Sequence, residues 1–236
     1  MEKQGIIKKE DFIKSIKEYK GPSFVKEDKN RKYSLEGYLF PDTYEFFKGM
    51  QGDKIIDKML DRFNYVIKEI EKENNIKIKD EDMDKLISMA SVIEKEAEKD
   101  DERGKVASVF YNRIDKKMKM ESCATVLYAL GYHKDKLYYK DLKIKSPYNT
   151  YLNTGLPIGP ICSPGKNSIK AALNPEKQII CILFLKIMEL TFLQRTITIF
   201  KGEKRNSRRL IYFAAGDLLY FKIKRSPYVL LILNWR

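Results

Sequence analysis

Two carboxylates, Glu94 and Glu96, stand either side of Lys95 in the stretch "MASVIEKEA". At about 100° per residue on a helix, Leu86, Met89, Ala90, Ile93 and Ala97 form one apolar stripe. Lys95 then points directly away from the stripe, and Glu94 and Glu96 fall on its two opposite edges. Further on, Arg113 falls inside the stripe that Val106, Val109 and Phe110 make on the next helix, where a guanidinium needs a partner. Two chemistries fit this trio. In the structural one, Glu94 pairs with Arg113, the pair orients two helices, and the second Glu stays solvated. In the catalytic one, a carboxyl half-buried against Met, Val and Ile keeps its proton towards neutral pH, because burial disfavours the anion. Such an acid can protonate the oxygen of a glycosidic bond.

Acid catalysis on a glycan also needs a polar cleft. The run "SPYNTYLNTGLPIGPICSP", Ser146 to Pro164, interleaves Pro and Gly with Tyr, Asn and Thr, which excludes a helix. Its amides and hydroxyls can hydrogen-bond, its tyrosines can stack, and it carries little charge, so it suits a neutral polar polymer such as a glycan. The elements that must position these groups follow from periodicity. A short amphipathic helix is predicted from Lys9 to Tyr19, with a break at Gly21 and Pro22. "YSLEGYLFPDTYEFF" reads as an extended, aromatic-rich segment entering a new domain. A strong helix follows Gly52 and ends at Asn74 and Asn75. The next starts with Asp80 as cap and runs to about Lys99, and a third runs from about Asp101 to Lys117. A short helix from Ala124 to Leu130 ends at Gly131, and "GKNSIKAALNP" reads as a capped helix stopped by Pro175.

Composition bounds the alternatives. A chain of 236 residues, 43% hydrophobic and 33% charged, accommodates one sizeable core plus an appendage and excludes a membrane-embedded bundle, a collagen-like repeat and a wholly disordered chain. Cys123, Cys162, Cys181 and the single His133 lack metal-ligand spacing, so neither zinc nor a disulfide framework is expected. "MEKQGIIKKE" lacks the apolar run of a signal peptide. The net charge of +13 invites a nucleic-acid reading, but Gln178 to Arg236 holds eleven Lys and Arg against three Asp and Glu, so most of the excess lies there. Before it, the signs are mixed, as on solvated helix faces. "IICILFLKIMELTFLQRTITIF" is interrupted by Lys186, Glu189 and Arg195 and is not a membrane span.

"LEGYLFPDTYEF", "MASVIEKEA", "DERGKVASVFYNRI", "ATVLYALG" and "SPYNTYLNTGLPIGPICSPGKNSIKAALNP" together resemble the YceG-like endolytic murein transglycosylase family, in consistent order from Leu35 to Pro175. The resemblance implies a lytic transglycosylase that cleaves the bond between N-acetylmuramic acid and N-acetylglucosamine in peptidoglycan and leaves 1,6-anhydro ends. It implies Glu96 as the catalytic acid and then base, with no metal or cofactor. Tyr148, Asn149, Thr150 and Tyr151, with Glu121, Ser122 and Thr125, would contact the glycan. Glu94, Arg113, Gly155 and Pro157 would give structural support. Glu36 and Asp42 would face the same cleft or cap local turns. Where relatives commonly show Gln and Asp, this chain has Glu121 and Cys123.

The fold expected from these features is α+β, with a mainly helical catalytic core, a small sheet and a long polar loop over the cleft. Residues 1–34 resemble the last part of the LysM-like region of relatives, 35–177 the catalytic domain, and 178–236 no family segment. Partners implied are glycan strands and cell-wall synthases, with no nucleic acid. The membrane would be met only through an N-terminal anchor that this chain lacks, at the extracytoplasmic face. A non-catalytic glycan-binding remnant of the family and a basic nucleic-acid-binding protein are the competing readings. After "NPEK" the family continues with an aromatic strand such as "YLYFV" and a His-x-Phe stretch. A set of synonymous codons for Gln178 to Leu193, read in a shifted frame, spells DYLYFVFKNNGTHIF, so residues 178–236 are expected to be a frameshifted translation.

Overall fold

The computed structural model describes residues 1–132, 134, 136–176, 209–214 and 217–222. His133, Cys181 and most of 178–236 therefore lie outside the described residues, together with the expectations that fall on them. The chain divides into two compact units, Met1–Cys181 and Ile182–Arg236.

The first unit is built from α1 (Lys9–Glu18), α2 (Gly52–Asn74), α3 (Asp80–Glu96), α4 (Asp100–Asp115), α5 (Cys123–Leu130) and α6 (Lys166–Leu173), with two single 3-10 turns. Among its described residues there is no strand, which overturns the expected small sheet: this unit is mainly helical and not α+β. The aromatic-rich segment forms consecutive turns over residues 34–38 and then runs irregularly. Its aromatic rings are inserted among the helices instead of alternating across a sheet: Tyr38 meets Phe63 of α2 edge-on at 5.4 Å, and both are fully buried. The second unit shows one antiparallel hairpin, β1 (Arg209–Ala214) with β2 (Asp217–Lys222), Arg209 opposite Lys222 and Ala214 opposite Asp217.

Apolar periodicity decides the packing. On α2, Ile55, Ile56, Leu60, Phe63, Val66, Ile67 and Ile70 are buried at three-to-four spacing. The helix stops at Asn75, whose φ of 51° lies in the left-handed region that Asn tolerates. The centre of α3 is buried all round: Ile87, Met89, Ala90, Val92 and Ile93 have no exposed surface. It is the hub that α4, α5 and α6 pack against. Asp80 is the first residue of α3 and not its cap; Lys79 holds the cap position, while Asp80, Glu81 and Asp82 place negative charge in the first turn, where the helix dipole favours it. The helix ends at Glu96, short of the expected Lys99, because Ala97 turns to extended backbone.

Two devices lock the irregular segments onto α3. Arg31, almost wholly buried, makes a two-pronged ion pair with Asp84 of α3 at 2.8 and 2.6 Å and donates to the carbonyl of Ile158 at 2.9 Å. Tyr38 donates to the same Asp84 at 2.8 Å. Nearby, Gly37 has φ +92°, and a Cβ there would come within 2.5 Å of Pro160 and 2.9 Å of Ile87. Among the described residues no helix is long and apolar enough to cross a membrane.

Candidate active site

Glu96 is the last residue of α3, at the end where the helix carbonyls point and a carboxylate is least welcome. Burial pushes its pKa above the ordinary carboxyl value, opposed by hydrogen bonds from Ser122 and the Ala124 amide. Both of those bonds fall on one oxygen. Ser122 Oγ donates to Oε1 at 2.5 Å and Ala124 N donates to it at 3.4 Å. With Oε1 occupied as an acceptor, a proton on this carboxyl sits on Oε2, which takes no hydrogen bond from the protein among the described residues.

Ser122 is placed by a directed set of hydroxyls. Thr125 Oγ1 donates to the Ser122 carbonyl at 2.7 Å, so its own oxygen accepts from Thr150 Oγ1 at 2.9 Å. Thr150 Oγ1 in turn accepts from the Ser122 amide at 3.0 Å. All three residues are buried. The loop that carries Thr150 thereby fixes the start of α5, and that start presents the Ala124 amide and the Ser122 hydroxyl to Glu96.

The "YNTY" residues therefore do different jobs. Asn149 is fully buried; its Nδ2 donates to the carbonyls of Leu142 and Ile144, both at 2.9 Å, and its Oδ1 accepts from the Tyr151 amide. Buried Tyr148 packs on Tyr128 at 4.7 Å between ring centres and accepts from the Lys32 amide at 3.2 Å. Together with Thr150 these residues hold the loop from within, their polar groups engaged by the protein. Tyr151 is half-buried, and its hydroxyl lies 3.1 Å from Cys123 Sγ at the start of α5, close enough to Glu96 for that carboxylate to disfavour the tyrosinate. Gly155 takes φ +80° in open space, and Pro157 is buried in the same loop.

Glu94 and Arg113 are not joined as the spacing suggested. The cation on Glu94 is Arg103, one turn into α4, at 3.3 Å. The same oxygen of Glu94 accepts from Gly165 N at 3.1 Å and Ser168 Oγ at 2.7 Å, so a side chain of α3 satisfies the open N-terminus of α6. Arg113 turns to the other end of α4: its guanidinium donates to the Met120 carbonyl at 2.6 Å and meets the Glu121 carboxylate at 3.3 Å. It holds the turn that leads to Ser122. Glu121 itself has φ +54° and donates its amide to the Thr150 carbonyl. Arg103, Ser168 and Arg31 were missed in the sequence; each lies in a charged or polar run that periodicity treats as solvated.

Glu36 and Asp42 separate clearly. Asp42 is an exposed partner of Arg62 at 2.6 Å and of the Thr43 amide. Glu36 is half-buried, accepts from Tyr128 Oη at 3.0 Å, and has its pKa raised by burial. Among the described residues no three His, Cys, Asp or Glu side chains are grouped to hold a metal ion.

A mainly helical body that presents one half-buried carboxyl beside an irregular polar loop has the parts of a general-acid site. The chain belongs to the YceG-like family, whose model matches residues 2–197. It is 47% identical over 181 residues to the endolytic murein transglycosylase of Bacillus subtilis (strain 168), covering 74% of this chain and 49% of that protein. It is 36% identical over 155 residues to the endolytic murein transglycosylase of Streptococcus pneumoniae serotype 2 (strain D39), covering 64% of this chain and 28% of that protein. The chain thus spans about half the length, or less, of these curated relatives. A crystal structure of a yceG-like protein from Listeria monocytogenes matches with a TM-score of 0.64 at 37% identity, covering 80% of this chain and 67% of that one.

Proposed function

We propose that this chain is an endolytic murein transglycosylase with Glu96 as its catalytic acid and base. The observation that carries the reading is the one-sided environment of Glu96: burial favours its neutral form, and both protein donors occupy Oε1. Oε2–H then protonates the oxygen joining N-acetylmuramic acid to N-acetylglucosamine while positive charge develops at C1. After the bond breaks, the same carboxylate takes the proton of the muramic C6 hydroxyl. That oxygen attacks C1, closes the 1,6-anhydro ring, and returns Glu96 to its neutral state. One carboxyl serves both steps, and no water is activated, so the paired carboxylate of a hydrolase is unnecessary. Ser122 and the Ala124 amide stabilise the intermediate carboxylate anion without consuming the oxygen that moves the proton.

Glycan strands at the outer face of the cytoplasmic membrane are the substrate in this reading, and cell-wall synthases are the partners expected there. The test is incubation of purified glycan strands with the chain and with its Glu96→Gln form, followed by mass spectrometry. Anhydro ends are expected from the first alone, and equal product from both refutes the role of Glu96. Residues 178–236 are proposed to be a frameshifted translation, because one choice of synonymous codons for Gln178 to Leu193 spells a family-like run in a shifted frame. Resequencing the gene around the Lys177 codon is expected to restore that run, and an intact in-frame Gln178 in an independent isolate defeats the proposal.

A further inference from the structure

A second carboxyl is built into the same region and has no part in the proton transfers. Glu36 is carried by a closely packed turn: Leu35 and Tyr38 on either side are fully buried, and Gly37 lies so close to Pro160 and Ile87 that no Cβ fits. Between these anchors Glu36 itself is only half-buried. Its Oε2 accepts from Tyr128 Oη at 3.0 Å, and that is the hydrogen bond the structure gives this carboxyl among the described residues. Tyr128 is fixed in turn, with Tyr148 packed at 4.7 Å and Lys32 Nζ 4.6 Å from its ring centre.

Helix α5 contacts both carboxyls, Glu96 through the Ala124 amide and Glu36 through Tyr128 Oη. Ala124, whose amide reaches Glu96, and Tyr128 are one helical turn apart, about 6 Å along the axis. Helical side chains lean towards the N-terminus, so the Tyr128 ring leans towards the Glu96 end of α5. Independently, Lys95, the residue before Glu96, is near enough to Glu36 to favour its anion. The titratable and charged groups around Glu36 are Tyr128 of α5, Lys95 of α3, Lys32 of its own segment, and Cys162 and Tyr148 of the polar loop. A firmly mounted carboxyl with one oxygen engaged by Tyr128, on the same helix α5 whose first turn meets the general acid, is suited to hold substrate.

We infer that Glu36 is a substrate-binding carboxyl of the cleft, donating a hydrogen bond through Oε1 to the acetamide carbonyl of an N-acetylhexosamine next to the scissile bond. This rests on the glycan reading of the site. Burial raises the pKa of Glu36, so the donor form persists above the ordinary carboxyl range, with Tyr128, Lys32 and Lys95 opposing the shift. Deprotonation turns the donor into an acceptor facing a carbonyl and weakens binding.

The experiment uses the full chain carrying Glu96→Gln, so that binding is read without turnover, and titrates in N-acetylglucosamine–N-acetylmuramic acid oligomers from acidic to weakly alkaline pH. With Glu36 intact, affinity is expected to fall as pH rises. Glu36→Gln, which keeps shape and a donor, is expected to bind at acidic pH and to lose the pH dependence. Glu36→Ala is expected to bind about tenfold more weakly at acidic pH, the effect of one hydrogen bond. Affinity within twofold for the Ala form, an unchanged pH dependence in the Gln form, or no binding by the parent overturns the inference. Anhydro ends are scored separately with Glu96 restored. Their absence alongside Glu36-dependent binding counts against the transglycosylase reading and leaves the Glu36 site standing; their presence alongside Glu36-independent binding does the reverse.

Discussion

Glu96 is subject to opposing influences: burial favours the neutral carboxyl, whereas Ser122 and the Ala124 amide favour the anion. Removing the hydroxyl with Ser122→Ala therefore raises the pKa further, and the alkaline limb of the pH–rate profile is expected to move to higher pH while the maximal rate falls about tenfold. Initial rates of anhydro-end formation across pH check both effects. A linked effect appears in stability. A carboxyl whose folded pKa lies above its unfolded value binds more protons when folded, so it costs stability increasingly as pH rises from the unfolded value through the folded one. Glu96→Gln removes that cost, so its melting temperature is expected to exceed that of the parent at neutral pH, with the difference vanishing in acid below the unfolded pKa. The edge position of Glu96 was legible because helix periodicity is written in adjacent residues. Its donors were not, since Ser122 and Ala124 lie 26 and 28 residues further on and meet it only through the fold. Arg113 shows the limit: its stripe position correctly required a partner, but a partner's identity depends on which end of α4 the side chain reaches.

The start of α5 and the polar loop are one device, because the Thr125–Thr150 hydroxyls direct hydrogen bonds in one sense and end on Ser122. Thr150→Val keeps the volume but leaves the Ser122 amide without its acceptor, which costs about 1–3 kcal/mol for an unsatisfied buried donor. A lower denaturant midpoint with activity reduced beyond the stability loss is the expected outcome. Asp84→Ala leaves the Arg31 guanidinium buried without its ion-pair partner, and a loss of about 3–5 kcal/mol is expected in equilibrium unfolding. The helices themselves were readable in the sequence to within a few residues, since α2, α4, α5 and α6 follow apolar spacing and α2, α5 and α6 meet Gly, Asn or Pro stops. The loop was readable as irregular, but the burial of Tyr148 to Thr150 within it was not. Tyr148, Asn149 and Thr150 look like a sugar-binding surface by residue type, and only the tertiary hydrogen bonds show their polar groups engaged within the protein.

At the scale of the molecule, the expected sheet failed because aromatic enrichment indicates burial as readily as strand: the rings of Phe24, Tyr38 and Phe63 pack on one another between helices. Charge distribution makes its own prediction. Deleting residues 178–236 removes eleven cations against three anions, so retention on a polyanion column is expected to drop sharply and to lose most of its salt dependence; retention unchanged by the deletion places a basic surface in the first 177 residues instead. The central claim concerns a single proton on the folded chain. Titration of the Glu96 side-chain carboxyl by NMR, assigned by its loss in Glu96→Gln, measures it directly. A midpoint above the ordinary glutamate value is the predicted result, and a midpoint at or below that value contradicts the account.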